Sequence, residues 1–465
     1  MTIPFWLLVL LVVFALIGLT DRIFAPGVRW FFRRRVNRAI DELNTRLALR
    51  IQPFKLTRRQ TLIDQLMYDP EVIKAVEIHA RENNVPRAVS MVQAQKFAKE
   101  IIPTFNAFTY FRIATRLARF VSKWIYRVRL GYSDDEALKA IDSEATVVFV
   151  INHRSNMDYI LLTYMAATSA TLSYAVGEWA RVFPLQNVIR SMGAYFIRRN
   201  SGDPLYRRVL ARYVRMATRQ GVTQAVFPEG GLSRDGALRP PKLGLLGYMV
   251  GDFDPQGARD VVFIPVGLNY DRVMEDRILT SRASKEIGGR TFKVSLGKIF
   301  KFTANNLKLR FQGRLYRYGY ACVSFGTPVS LKKWMSEQDV NLRDLPEGER
   351  FEQIERLGEN LMTGIGAVIP VLPVSLVSTV FLQAGDEKMS ELDVKSRTFK
   401  LVQKLEAAGA HVHIPREDRD YAVSSGLRML TLRHLVSEED GFFCAKPDER
   451  LLLQYYANSI AHLME

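Results

Sequence analysis

The densest set of chemistry-bearing residues follows the apolar run TVVFVI at 146–151. It reads Asn152-His153-Arg154-Ser155-Asn156-Met157-Asp158, and His153 is one of six histidines in 465 residues. Imidazole exchanges a proton readily near neutral pH. A carboxylate on one ring nitrogen leaves the other to take a proton from a hydroxyl. Five residues is a poor spacing for such a pair on one straight helix. Ser155 and Asp158, however, form a capping pattern that predicts a helix starting at Asn156. His153 then lies in the loop and Asp158 in the first turn, where the two can meet. The plainer alternative is a helix cap beside a structural histidine.

Three further clusters follow short apolar runs. Arg198-Arg199 follows GAYFI, and paired guanidinium groups suit a phosphate or a carboxylate. Pro228-Glu229-Gly230-Gly231-Leu232-Ser233-Arg234 follows TQAVF. Its glycines allow a ligand close to the backbone N–H groups, Arg234 adds charge, and Glu229 is placed to accept from substrate hydroxyls. Pro265 stands inside VVFIPV and predicts a bulge or break in that strand. Taken singly, a solvated arginine pair and a glycine-rich turn explain the second and third clusters as well.

The elements that must position these residues alternate. Strand-like runs at 146–151, 172–176, 193–197, 223–227, 261–266 and 320–325 are separated by helix-length segments near 156–169, 179–191 and 204–219. That rhythm predicts an α/β domain with a mostly parallel sheet flanked by helices, whose ligand groups gather beyond the strand ends. Residues 35–140 read as helical, and helices return after about 340. The nearly apolar 364–382, with Pro370 and Pro373, reads as a buried helix rather than a membrane span.

Composition narrows the class. Hydrophobic residues at 48% and charged ones at 24% fit a globular chain with a core, and a mean hydropathy of −0.04 excludes a polytopic membrane protein. Two cysteines, Cys322 and Cys444, exclude a disulfide scaffold and a cysteine-built zinc site, and point to a reducing compartment. No clustered metal ligands and no dinucleotide fingerprint occur, so no metal or cofactor is expected. The net charge of +17 calls for a negative partner. More than half of it lies in residues 22–59, where eleven Lys and Arg face two acids, a net of +9. Just before, residues 3–20 carry no charge, and about 1.5 Å per residue lets such a run cross a hydrocarbon core roughly 30 Å thick. We expect residues 1–21 to anchor the chain in a membrane, with the rest on the cytoplasmic face by the positive-inside rule. A second basic stretch, 104–130, holds Arg112, Arg116, Arg119 and Lys123 on one helical face and no acid. Ile113, Leu117, Phe120, Val121 and Trp124 take another face. Either a membrane-surface helix or a core-packed helix with a solvated basic side fits, and the upstream anchor favours the first.

Together the four clusters resemble, in order, the four blocks of the membrane-bound glycerol-3-phosphate acyltransferase family, in particular its bacterial sn-1 branch with its dihydroxyacetone-phosphate relatives. HRSNMD at 153–158 is similar to the H-x4-D block, GAYFIRR at 193–199 to the second, FPEGGLSR at 227–234 to the third, and IPV at 264–266 with Tyr270-Asp271-Arg272 to the fourth. The resemblance implies acyl transfer from an acyl-CoA or acyl carrier protein thioester to the sn-1 hydroxyl of glycerol-3-phosphate, giving lysophosphatidate for phospholipid synthesis. It implies His153 as general base and Asp158 as its orienter. Arg198, Arg199, Glu229, Gly230, Gly231, Ser233 and Arg234 would bind the acceptor, and Arg154, Ser155, Asn156 and Pro265 would support the site. Backbone N–H groups near Gly230 and Gly231 are candidates for the oxyanion. Leu232 departs from the family, which usually has arginine there. Arg199, Arg234 or Lys242 would have to compensate; otherwise the acceptor is lysophosphatidate or another lysophospholipid. The expected organisation is an anchor at 1–21, a basic helical membrane-proximal region at 22–140, the α/β acyltransferase domain at 141–335 and a helical C-terminal domain at 336–465. Membrane lipids are the expected partners. A nucleic-acid binder is disfavoured because no such motif is present, and an inactive lipid-binding scaffold on the same fold is the rival from another class.

Overall fold

The computed structural model describes residues 52–166, 171–177, 185–198, 201–257, 259–283 and 318–464. The expected anchor and most of the basic window after it lie outside the described residues, as does Arg199. Among the described residues no helix is long and apolar enough to cross a membrane.

An eight-stranded sheet organises the fold. Its strands are β1 (Arg127–Ser133), β2 (Thr146–Ile151), β3 (Ser173–Gly177), β4 (Tyr195–Ile197), β5 (Gln224–Val226), β6 (Val261–Tyr270), β7 (Tyr320–Phe325) and β8 (Val329–Ser330). The order is β1-β7-β6-β2-β5-β3-β4, with β8 beside β6. From β6 to β4 every pairing is parallel. β7 and β8 run antiparallel to β6, and β1 runs parallel to β7. β2 is buried at every position and sits fourth in the order, as its unbroken apolar sequence requires. β1 corrects the helical reading of 35–140. It is an edge strand with four exposed residues out of seven, so it lacks the apolar run that marks a buried strand.

Before the sheet come α1 (Arg59–Met67), α2 (Pro70–Glu82), α3 (Arg87–Ile101) and, after a π-helical turn at Thr109–Ala114, α4 (Thr115–Ile125). Between strands lie α5 (Met157–Ala166), α6 (Leu185–Ser191), α7 (Pro204–Arg219), α8 (Gly244–Val250) and α9 (Asp276–Ala283). α7 starts where the sequence says it should: Asp203 accepts from the Tyr206 N–H, and Pro204 occupies the first turn, which needs no donor there. One core joins α1 to α3 with β2, α7, β6 and the helices that follow the sheet.

Those are α10 (Leu331–Glu337), α11 (Glu347–Ala367), α12 (Pro373–Ala384), α13 (Glu391–Ala407), α14 (Arg419–Leu432) and α15 (Arg450–Ala457). The apolar 364–382 is thus the end of α11, a break, and the buried α12, which begins at Pro373. The C-terminal part also holds a small antiparallel sheet of β9 (Met389–Ser390), β10 (Val436–Glu439) and β11 (Phe442–Ala445). Strands of two to four residues carry too little pattern to be read from sequence.

Pro265 does not break its strand. β6 runs through it, and Pro265 pairs with Val150 in unbroken register. On its other side β6 changes partner here, from β8 at 262–263 to β7 at 266–270. A residue without an N–H costs no ladder bond at that gap.

Candidate active site

Asn152 extends the β2–β6 pairing beyond the end of β2. Its side chain donates to Leu268 O at 2.9 Å and accepts from Leu268 N at 2.7 Å. His153 is thereby fixed at the strand end. Its N–H donates to Glu229 Oε1 at 2.7 Å, and its carbonyl accepts from Ser233 N at 3.0 Å. The ring lies 4.2 Å from that of Phe227 between centroids and edge-on to Tyr159. Nδ1 is 2.9 Å from Asp158 Oδ2, with both residues buried. A carboxylate can only accept, so Nδ1 carries the hydrogen, and in the neutral ring Nε2 is the nitrogen with the lone pair.

Asp158 is saturated. Oδ2 also accepts from the N–H groups of Arg154 at 2.7 Å and Ser155 at 3.0 Å, and Oδ1 accepts from Tyr270 Oη at 2.6 Å. Four donors hold one carboxylate in one pose. Burial, and then the Asp158 charge, push the Tyr270 phenol well above its usual range, so it stays a donor. Tyr270 is 112 residues from Asp158 and ends β6. The sequence showed it only as part of the fourth block, with no role attached.

Glu275 is the second residue that the sequence did not single out. It accepts from Ser155 Oγ at 2.7 Å and from Asn156 N and Nδ2 at 3.3 and 2.9 Å. Burial raises its carboxyl, against these hydrogen bonds. Ser155 Oγ also accepts from Met157 N, so this side chain starts α5, one residue later than predicted. Ser155 and Asn156 thus brace the loop.

The third cluster is wound into a turn. Gly230, at φ +66°, donates its N–H to Phe227 O at 3.0 Å, which occupies one of the expected oxyanion donors. Ser233 is wholly buried; its hydroxyl accepts from Gly236 N at 3.0 Å and lies 2.9 Å from Ala237 O. It shapes the loop and is not open to a phosphate. Glu229 spends Oε1 on the His153 backbone. Burial lifts its carboxyl to about 7, against that N–H and the Arg154 charge. Arg234 is exposed, and Leu232 and Gly231 are half-buried. Lys242 is exposed and lies against Gly230, where a Cβ would meet its Cδ at 2.6 Å.

Arg198 stands apart. β4 is three strands from β2, roughly 14 Å at the usual strand spacing. Its guanidinium grips Glu100 in two parallel bonds of 2.9 and 2.7 Å and lies over the rings of Phe97 and Tyr206. The structure therefore commits Arg198 to α3. Arg154 is buried behind the dyad, donates to Gly236 O and lies over Tyr455 from α15. Its Nε and Nη2 have no protein hydrogen-bond partner, and Arg154 is among the residues that line a cavity of about 10 Å³, room for one water. Among the described residues no group of three or more His, Cys, Asp or Glu is placed to hold a metal ion.

Residues 131–269 match the family described as Acyltransferase, and residues 304–464 match the glycerol-3-phosphate acyltransferase C-terminal region. The chain is similar to proteins named glycerol-3-phosphate acyltransferase. The protein of that name from Pseudoalteromonas translucida is 26% identical over 424 residues, 88% of this chain and 50% of that protein. The one from Aeromonas hydrophila is 28% identical over 427 residues, with the same shares. The chain spans about half the length of the curated relatives it matches. A crystal structure of the 1-acyl-sn-glycerophosphate acyltransferase from Thermotoga maritima aligns at 19% identity over 54% of this chain and 79% of that one. Its TM-score is 0.29, too low to carry an argument.

Proposed function

We propose that this chain moves a fatty acyl group from a thioester, acyl-CoA or acyl carrier protein, to the sn-1 hydroxyl of glycerol-3-phosphate. The supporting observation is the buried His153–Asp158 pair at a strand end within the Acyltransferase match. In this reading Nε2 of His153 takes the proton of the acceptor hydroxyl as its oxygen attacks the thioester carbonyl. The C–S bond breaks, the proton passes to the leaving thiolate, and free thiol and lysophosphatidate result. No acyl-enzyme is required. Asp158 fixes the tautomer and stabilises the imidazolium that forms. Among the described residues, Arg234 and Lys242, exposed on and beside the third loop, are cations that would meet the acceptor phosphate. Residues 3–20 anchor the chain, with the catalytic domain on the cytoplasmic face.

Leu232 supports a second reading, in which the acceptor is lysophosphatidate or another lysophospholipid. An apolar, half-buried residue there weakens the hold on a small dianion and suits an acyl chain.

The test is a product assay on detergent-purified full-length protein. Labelled glycerol-3-phosphate, lysophosphatidate and lysophospholipids are offered in parallel, each with acyl-CoA and with acyl carrier protein. Lysophosphatidate from glycerol-3-phosphate, lost in His153→Ala at unchanged melting temperature, is the expected result. Acylation of another acceptor alone transfers the assignment to the second reading. No product from any of them leaves a lipid-binding scaffold.

A further inference from the structure

The helical segment 109–125 carries three stripes. Ala114, Ala118, Ser122 and Ile125 are buried, and α4 packs on α5, the helix that carries Asp158. Arg112, Arg116, Arg119 and Lys123 are all exposed. The third stripe is apolar and not buried: Ile113 is 50% exposed, Leu117 54% and Phe120 65%, with Trp124 half-buried and stacked on Phe120. These four recur at steps of four, three and four, one face of a helix. Phe108, 66% exposed, precedes them. Tyr110 and Ile125 are buried near the two ends, but between them the small Ala114, Ala118 and Ser122 face the protein while Ile113, Leu117 and Phe120 face outward, the reverse of a core-packed helix.

We propose that this face docks in the plane of an anionic phospholipid surface. The apolar stripe would enter the acyl boundary, and the four cations, about 100° around the helix, would reach the phosphates. Charge decides the occupant: residues 104–130 hold no acid, so nothing on the segment answers its cations, and a lipid phosphate layer does so along its whole length. Because α5 packs directly on α4, docking brings the His153–Asp158 loop to the layer where amphiphilic thioesters collect. This deepens the reading above by naming the membrane-facing surface of the same domain. Its test reads lipid contact rather than turnover, so either can fail while the other stands.

The experiment uses the full-length chain with Cys444→Ser, since Cys322 is fully buried. Single cysteines at Ile113, Leu117 and Phe120, and at the exposed Lys333 as a control, carry an environment-sensitive fluorophore. Vesicles are phosphatidylcholine with and without phosphatidylglycerol. We expect blue-shifted emission and quenching by spin-labelled acyl chains at 113, 117 and 120 and none at 333. Replacing Arg112, Arg116, Arg119 and Lys123 by Gln should cut the phosphatidylglycerol dependence by about fivefold per cation removed. Labels at 113, 117 and 120 that stay as wet as that at 333 overturn the proposal. So do labels already shielded before vesicles are added, which would give the face to residues 1–51 or to a second copy.

Discussion

At the scale of single residues, the site is a histidine whose orientation is over-determined through its partner. Of the four donors to Asp158, two are loop backbone N–H groups and one is the His153 ring itself, which leaves the Tyr270 hydroxyl as the donor that can be removed while keeping both the loop and the base. Tyr270→Phe should therefore lower kcat by about tenfold while changing KM by less than about twofold, because it loosens a group that acts on the transition state. A purely structural role would lower the melting temperature and leave kcat of the folded fraction alone. Glu229 gives a signal in pH. Its carboxyl titrates near 7 in the folded state, because burial disfavours the charge, and near its ordinary 4.5 when unfolded. Between those values the folded chain keeps a proton that the unfolded chain has released, so stability falls as pH rises. The full drop is about 3 kcal/mol across that window. Glu229→Gln should flatten it, as read by urea unfolding at a series of pH values.

At the scale of elements, the sequence was most legible where an element is long or buried on both faces. The runs 146–151 and 320–325 and the helix 204–219 coincide with β2, β7 and α7. β3, β4 and β5 are shorter than or shifted by a residue from their apolar runs, since each run begins before its strand's first residue. β1 escaped because an edge strand shows water much of its surface. Pro265 misled because the rule against proline in a strand assumes that every position needs a donor. Glycine roles also depend on the neighbouring element. At Gly236, φ is +87° and a Cβ would stand 1.8 Å from Tyr455 O on α15, a rigid backbone atom. At Gly230, φ is +66° and the obstacle is the flexible Lys242 side chain. Gly236→Ala should cost at least about 3 kcal/mol in denaturant unfolding, and Gly230→Ala about 1 kcal/mol.

At the scale of the whole molecule, the C-terminal helices are part of the wall behind the site. Asn269 donates to Pro370 O, and Asp271 accepts from Tyr320 N and Val374 N, joining β6 and β7 to the start of α12. Tyr455 covers Arg154, and Asn458 donates to Asp235 O in the third loop. Arg433, Asp276 and Tyr456 form a buried polar cluster between α14, α9 and α15. This interlock explains why the chain's two family matches meet in one structure, and why the Gly236 prediction concerns the C-terminal helices as much as the loop. The sequence by itself determined the alternation of elements, the His-x4-Asp spacing at a strand end and the sign and placement of the charge, because each is a local pattern of residue type. Only the tertiary structure decided which groups complete the site. Tyr270 and Glu275 reach it from β6 and the turn after it, Arg198 is taken by Glu100, and Ile113, Leu117 and Phe120 of the segment 109–125 face outward. Those outcomes rest on strand order, on register and on which face of a helix its neighbours cover. None of these is a property of a stretch of sequence taken alone.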